Sequence, residues 1–211
     1  MPKETFFNLP EEKQQRIIQA AIDAFSGRHY SQVSINAIVN RAEIPKGSFY
    51  QYFENKDDLY IHLFTRVGDT KIDLFNSLWE EVPSLTFREY LSRYIEQLQA
   101  LESANDQMGK LKHEFLNECP QEIKKMIIRQ EMPRSIQAFR KVIEAYVAKG
   151  EFRRGLDCRV AAYVVVMSVS SLEHYDYRQG EEPLAALMNI IDFLVESMQS
   201  TGKQSNRRRK K

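Results

Sequence analysis

Hydrophobic positions recur at helical spacing along nearly the whole chain, and no stretch alternates with the period of two that a half-buried strand would show. The first clear stripe is Ile17, Ala21, Ala24 and Phe25, widened by Ile18 and Ile22. Asn8-Leu9-Pro10-Glu11 ahead of it reads as a helix start, and Gly27 behind it as a stop. Ser34 then caps a brief helix carrying Ala37, Ile38 and Arg41, and Ala42-Glu43-Ile44 forms a tight turn. Pro45 opens a second short helix through Tyr52. From Asn55, a plausible cap, a long helix is predicted to about Glu81, with Leu59, Leu63, Val67, Leu74 and Leu78 on its apolar side. Such a helix would extend roughly 40 Å. Pro83-Ser84 ends it, and further helices are predicted at about 86–102, 106–117, 121–149, 157–177 and 182–200. Pro133 should kink or split the third of these. Gly150 is its expected stop and Asp157 the expected cap of the next.

Composition agrees with an all-α reading. Eight glycines and seven prolines in 211 residues are few, and 43% apolar with 28% charged residues is ordinary for a folded domain. No run reaches the roughly 18 apolar residues of a membrane span, so no membrane partner is expected. Met1-Pro2-Lys3-Glu4-Thr5 lacks the layout of a signal peptide. Two cysteines, Cys119 and Cys158, make no disulfide framework, and a cytoplasmic location is expected. The net charge of +1 conceals an asymmetry: residues 201–211 hold six basic residues and no acid, so the rest is mildly acidic. Affinity for nucleic acid would therefore need a local basic surface.

The sharpest local feature is residues 34–53, two short helices around a three-residue turn. In a helix-turn-helix the first helix braces across the DNA backbone and the second enters the major groove. Ile38, Ile44 and Phe49 are spaced to fix the angle between the two, which leaves Lys46, Ser48, Tyr50, Gln51 and Tyr52 as the polar set. Gly47 removes a side chain where backbone could approach phosphate.

These residues carry a resemblance. Ala24-Phe25, Tyr30, Ser34, Ile38, Arg41-Ala42, Ile44, Lys46-Gly47-Ser48-Phe49-Tyr50, Tyr52-Phe53 and Asn55-Lys56-Asp57-Asp58-Leu59 resemble the DNA-binding region of the tetracycline-repressor (TetR) family. Glu43 departs from the pattern, since the family usually has glycine there; a non-glycine residue at positive φ is costly.

The resemblance implies an N-terminal helix-turn-helix domain over 1–54, a helical effector-binding and dimerisation domain over 55–200, and a basic tail over 201–211. It implies DNA contacts from Ser34, Lys46, Gly47, Ser48, Tyr50, Gln51, Tyr52 and Lys56. Tyr50 and Tyr52 fit phosphate contact or packing on the first helix, Lys56 fits phosphate contact or a solvated first turn, and Ser34 is foremost a helix cap. Gln51 suits adenine and Lys46 guanine. The partners expected are a palindromic DNA operator, a second copy joined through the last two helices, and a small, largely apolar effector. Trp79, Met126, Tyr163 and Met167 are the candidate effector contacts. A DNA-bound adaptor governed by a protein partner is the alternative.

An enzyme is not expected. His29, His62, His113 and His174 are scattered, with no metal-ligand spacing, nucleophile elbow or phosphate loop. No catalytic residue, metal or cofactor is expected either.

Overall fold

A computed structural model of the chain describes residues 2–104 and 106–199. The basic tail expected over 201–211 lies outside the described residues. Ten α-helices follow in order: α1 Glu4–Phe7, α2 Glu11–Phe25, α3 Ile35–Arg41, α4 Lys46–Tyr52, α5 Lys56–Ser77, α6 Phe87–Ala104, α7 Asp106–Asn117, α8 Gln121–Ala148, α9 Cys158–Ser170 and α10 Pro183–Met198. No strand occurs among the described residues. The all-α expectation holds.

Three predicted caps are formed. Ser34 Oγ accepts from Ala37 N at 3.1 Å, Asn55 Oδ1 from Asp58 N at 2.9 Å, and Asp157 Oδ1 from Arg159 N at 3.0 Å and Val160 N at 3.3 Å. Each satisfies amides that a helix start otherwise leaves unpaired. Gly150, at φ 83°, ends α8 in the left-handed conformation that glycine adopts without penalty.

Two predicted helix ends are corrected, splitting is set aside at Pro133, and one helix was missed. The long helix ends at Ser77 rather than Glu81, and its continuation tightens into a 3₁₀ turn over Trp79–Glu81. Helix 157–177 stops at Ser170, followed by a 3₁₀ turn at Leu172–His174. Such tightening is common at helix ends, where the apolar stripe alone gives no stop signal. Pro133 does not split α8, which runs on to Ala148. Pro133 and Arg129, whose carbonyl the ring deprives of a donor, are both exposed. Finally, the sequence pattern missed α1, one turn long and centred on the fully buried Phe6.

By contact the chain forms two compact units. The first comprises residues up to Lys71 together with Leu98–Glu131. Its core joins Ile17, Ala21 and Phe25 of α2, Ile38 of α3, Phe49 of α4, Leu59 and Leu63 of α5 and Leu111 of α7. The second comprises Ile72–Gln97 together with Met132 onward. Its core is built from Phe75, Phe87, Tyr90, Ile143 and Tyr146 with the inner sides of α9 and α10.

Candidate nucleic-acid interface

The turn between α3 and α4 sets the geometry of the site. Ile44 N donates to Val39 O at 3.0 Å and Glu43 N to Asn40 O at 3.3 Å. That pair of bonds is the Schellman arrangement, which requires a left-handed residue just past the helix end. Glu43 occupies that position with φ 53°, and it is the one described non-glycine residue at positive φ. The turn therefore has the shape for which the family that the sequence resembles usually has glycine, with strain of about 1–2 kcal/mol.

Helical spacing in α4 divides its seven residues cleanly. Phe49 is fully buried and Tyr52 is 6% exposed, both facing the core. Lys46, Gly47, Tyr50 and Gln51 are exposed, and Ser48 is half-buried. Tyr50 keeps 44% of its surface open. Gly47 has an ordinary φ, and a Cβ built there would meet nothing within 4 Å. Nothing within the chain demands glycine, so what its missing side chain clears is the outer surface.

The neighbouring residues brace this face. Arg16 Nε of α2 donates to Ala42 O at 3.0 Å, and Arg41 pairs with Asp23 at 3.3 Å. Lys56 Nζ donates to Tyr30 O at 2.8 Å and Val33 O at 3.0 Å, so two of its three N–H groups hold the loop that leads into α3. Burial pushes this amine below the usual lysine range, opposed in part by Asp57. The Tyr30 hydroxyl donates to the Asp57 carboxylate; burial first and this bond second push the phenol far above its ordinary value.

The C-terminal end of α4 is closed by α1. Lys3 N donates to Tyr52 O at 2.8 Å, Lys3 Nζ to Tyr50 O at 2.7 Å, and Thr5 Oγ1 to Gln51 O. Sequence reasoning missed Lys3, Thr5, Arg16 and Tyr30 as supports. Their partners are mostly backbone carbonyls remote in sequence, and no residue pattern encodes such pairings.

Of the eight predicted DNA contacts, the structure brings Lys46, Gly47, Tyr50 and Gln51 onto one exposed face. Ser34 is exposed at the start of α3, Ser48 lies at the margin, and Lys56 is drawn into the loop clamp. Tyr52 packs inward, its ring 6.4 Å from that of Phe6 and 5.7 Å from Lys13 Nζ.

The four candidate effector contacts fall in both units. Met126 lies on α8 in the first unit, 46% exposed. Tyr163 and Met167 are one turn apart on α9 in the second unit, with Tyr163 52% exposed. Trp79 is half-buried, with Lys141 Nζ 4.6 Å from its ring centre. Lys141 also lines an open groove of about 550 Å³ in the second unit, alongside Ile72, Arg134, Gln137 and Arg140. The outer sides of α9 and α10 expose Val160, Tyr163, Val164, Leu184 and Phe193, the last 71% open. Among the described residues, no group of three or more potential metal ligands converges. No described helix is long and apolar enough to cross a membrane.

A helical chain whose helix-turn-helix presents a lysine, a tyrosine and a glutamine outward from its second helix has the make-up of a DNA-binding transcriptional regulator. Residues 17–63 match the family model for bacterial regulatory proteins of the tetR family. A TetR family transcriptional regulator from Chloroflexus aurantiacus is 30% identical, covering 94% of this chain and 97% of that one, with a TM-score of 0.48. The fatty acid metabolism regulator protein of Bacillus subtilis is 24% identical over 191 residues, 87% of this chain and 94% of the relative. The transcriptional regulator FadR from Bacillus subtilis, solved with stearoyl-CoA, has a TM-score of 0.57 at 21% identity and covers 88% of this chain and 99% of that one. The chain belongs to the tetR family of bacterial regulatory proteins, and it is a DNA-binding transcriptional regulator.

Proposed function

We propose that the chain acts as a homodimeric repressor, binding a palindromic operator and leaving it when a small, largely apolar effector binds the helical body. The observation that carries the DNA half of this reading is the outward face of α4, where Lys46, Gly47, Tyr50 and Gln51 stand clear of the fold. Lys46 and Gln51 reach base edges, Tyr50 and Ser48 meet phosphates, and the bare backbone at Gly47 permits close approach. Ser34 keeps its capping bond and offers a second one to phosphate from the start of α3. We assign Lys56 chiefly to the loop clamp and Tyr52 to packing, with DNA served through the helices they seat.

The dimer half rests on α9 and α10. A face with Val160, Tyr163, Val164, Leu184 and Phe193 in the open is costly in water, at about 25 cal/mol per Å². A second copy would cover it, and two-fold pairing matches the two halves of a palindrome. A dimer seated on its operator blocks other proteins from that duplex, which makes repression the sign of regulation. The effector half is supported by the 550 Å³ groove and by a structural neighbour that holds stearoyl-CoA. Arg134, Arg140 and Lys141 line that groove, with Arg140 paired to Glu144 at 2.7 Å, and this excess of cations suits an effector with an anionic end.

Selection of bound fragments from a random duplex library tests the proposal. One palindromic sequence should be enriched and bound as one dimer per site. Uniform, sequence-independent binding would overturn it.

A further inference from the structure

Resting on the DNA-binding reading above, we infer that α1 is a positioning element of the recognition helix: Lys3, Thr5 and Phe6 set the register of α4 on DNA although none of them belongs to its outward face. A seven-residue helix is close to the minimum length, and its last four carbonyls have no partner of their own within it. Here all four are satisfied. Phe53 N takes Phe49 O at 2.8 Å, which ends the helix's own bonding. The next three carbonyls in sequence, Tyr50, Gln51 and Tyr52, are taken by Lys3 Nζ, Thr5 Oγ1 and Lys3 N. The Lys3 ammonium also lies at the negative end of the α4 dipole, where a cation is favoured.

Phe6 anchors this cap. It is fully buried, with its ring 4.9 Å from Phe53 and 5.5 Å from His62 of α5. The single turn of α1 thus sits between the end of α4, to which it is hydrogen-bonded, and α5, whose His62 ring meets Phe6 edge-on. Tyr50 and Gln51 supply outward side chains and, through their carbonyls, receive this cap. Any fraying of the last turn therefore moves two base- or phosphate-facing residues together.

The test uses the full chain and the 30-base-pair duplex recovered by selection, with a scrambled duplex of equal length as control. Thr5→Val removes a donor without removing charge. It should weaken binding to the selected duplex about five- to ten-fold, the cost of one lost hydrogen bond, while binding to the scrambled duplex and the salt slope stay put. Thr5→Ser should restore wild-type affinity. Lys3→Met should add to the loss, and amide exchange at Tyr52 and Phe53 should accelerate in both weakened variants. Unchanged specific affinity in Thr5→Val and Lys3→Met would overturn the inference, as would a parallel fall on both duplexes together with the melting temperature. If the wild-type chain selects no sequence, the DNA-binding reading fails instead, so the two failures are distinguishable.

Discussion

Lys56 holds Tyr30 twice: its ammonium donates to the Tyr30 carbonyl at 2.8 Å and lies 4.1 Å from the centre of the same residue's ring. With the further bond to Val33 O, one cation closes the loop between α2 and α3 against the start of α5. The Tyr30 hydroxyl returns the link through Asp57. Lys56→Met keeps the stem and removes the donors, so that Val33 O loses its lysine donor and Tyr30 O keeps only the 3.3 Å bond from Val33 N. It should cost about 1–3 kcal/mol, read as a lower urea midpoint at unchanged m-value. Full stability in Lys56→Met would show the clamp to be incidental.

The outward face of α4 predicts a different pattern. Lys46→Ala and Tyr50→Ala should each weaken operator binding by about 1–3 kcal/mol while thermal stability barely moves. Lys46→Ala should also lower the salt slope by about one. Fluorescence anisotropy across a salt series separates these effects. Matched losses of melting temperature and affinity would mean that the residues pack rather than bind.

Glu43 predicts a gain. Replacing a left-handed glutamate with glycine relieves the backbone, offset in part by the greater freedom of glycine in the unfolded chain. Glu43→Gly should stabilise the protein by roughly 0.5–1 kcal/mol in denaturant unfolding. Removal of an acid beside the DNA-facing helix should tighten operator binding as well. A lower midpoint would show that the Glu43 side chain contributes a contact worth more than the strain.

His62 predicts acid sensitivity. Its ring is 6% exposed among Phe6, Phe7 and Phe53, and neither nitrogen has a hydrogen-bond partner. Burial, with Arg66 adding to it, holds its pKa down to about 4; Asp58 and Asp69 oppose the shift. The unfolded chain takes up this proton near pH 6.5 and the folded chain only near 4, so acid favours unfolding between the two. The stability present above pH 6.5 should fall progressively as the pH drops towards 4, by up to about 3 kcal/mol from this group. Urea midpoints at pH 7.5 and 4.5 measure the loss. In His62→Gln the difference should shrink, and an identical difference would assign the acid sensitivity to other groups.

Phe193, the most open of the large apolar side chains described, tests the dimer. Phe193→Glu should shift the mass measured by light scattering from two chains to one. It should also abolish tight operator binding, because a single half-site contact is far weaker. An unaltered mass would place the interface elsewhere.

Most of the fold was legible in the sequence because its signals are local. Helical spacing located the major helices, and Ser34, Asn55 and Asp157 marked their starts with a side-chain oxygen three residues or fewer from its amide partner. The helix-turn-helix was legible for the same reason, being twenty consecutive residues whose inward and outward positions follow from the period of a helix. Even the strain at Glu43 could be expected, since the turn needs a left-handed residue whatever its side chain.

What lay hidden depends on pairings between distant parts of the chain. No local pattern announces that Lys3 and Thr5 will cap α4, because their partners are carbonyls that every residue possesses. Tyr50 and Tyr52 stood together in the polar set, yet one lies on the Phe49 side of α4 against Phe6 and the other stays 44% open. Lys56 fitted a phosphate contact or a solvated first-turn lysine, and neither pattern announces its bonds to the loop at Tyr30 and Val33. The candidate effector residues rested on aromatic and methionine content, which does not say what cavity a side chain faces. The sequence by itself determined most of the helical segments and which short helix we propose to meet DNA, since both follow from side-chain periodicity within a few turns. Only the tertiary structure decided which carbonyls, rings and cations hold that helix in place, because such contacts exist only once remote backbone is brought within hydrogen-bonding distance.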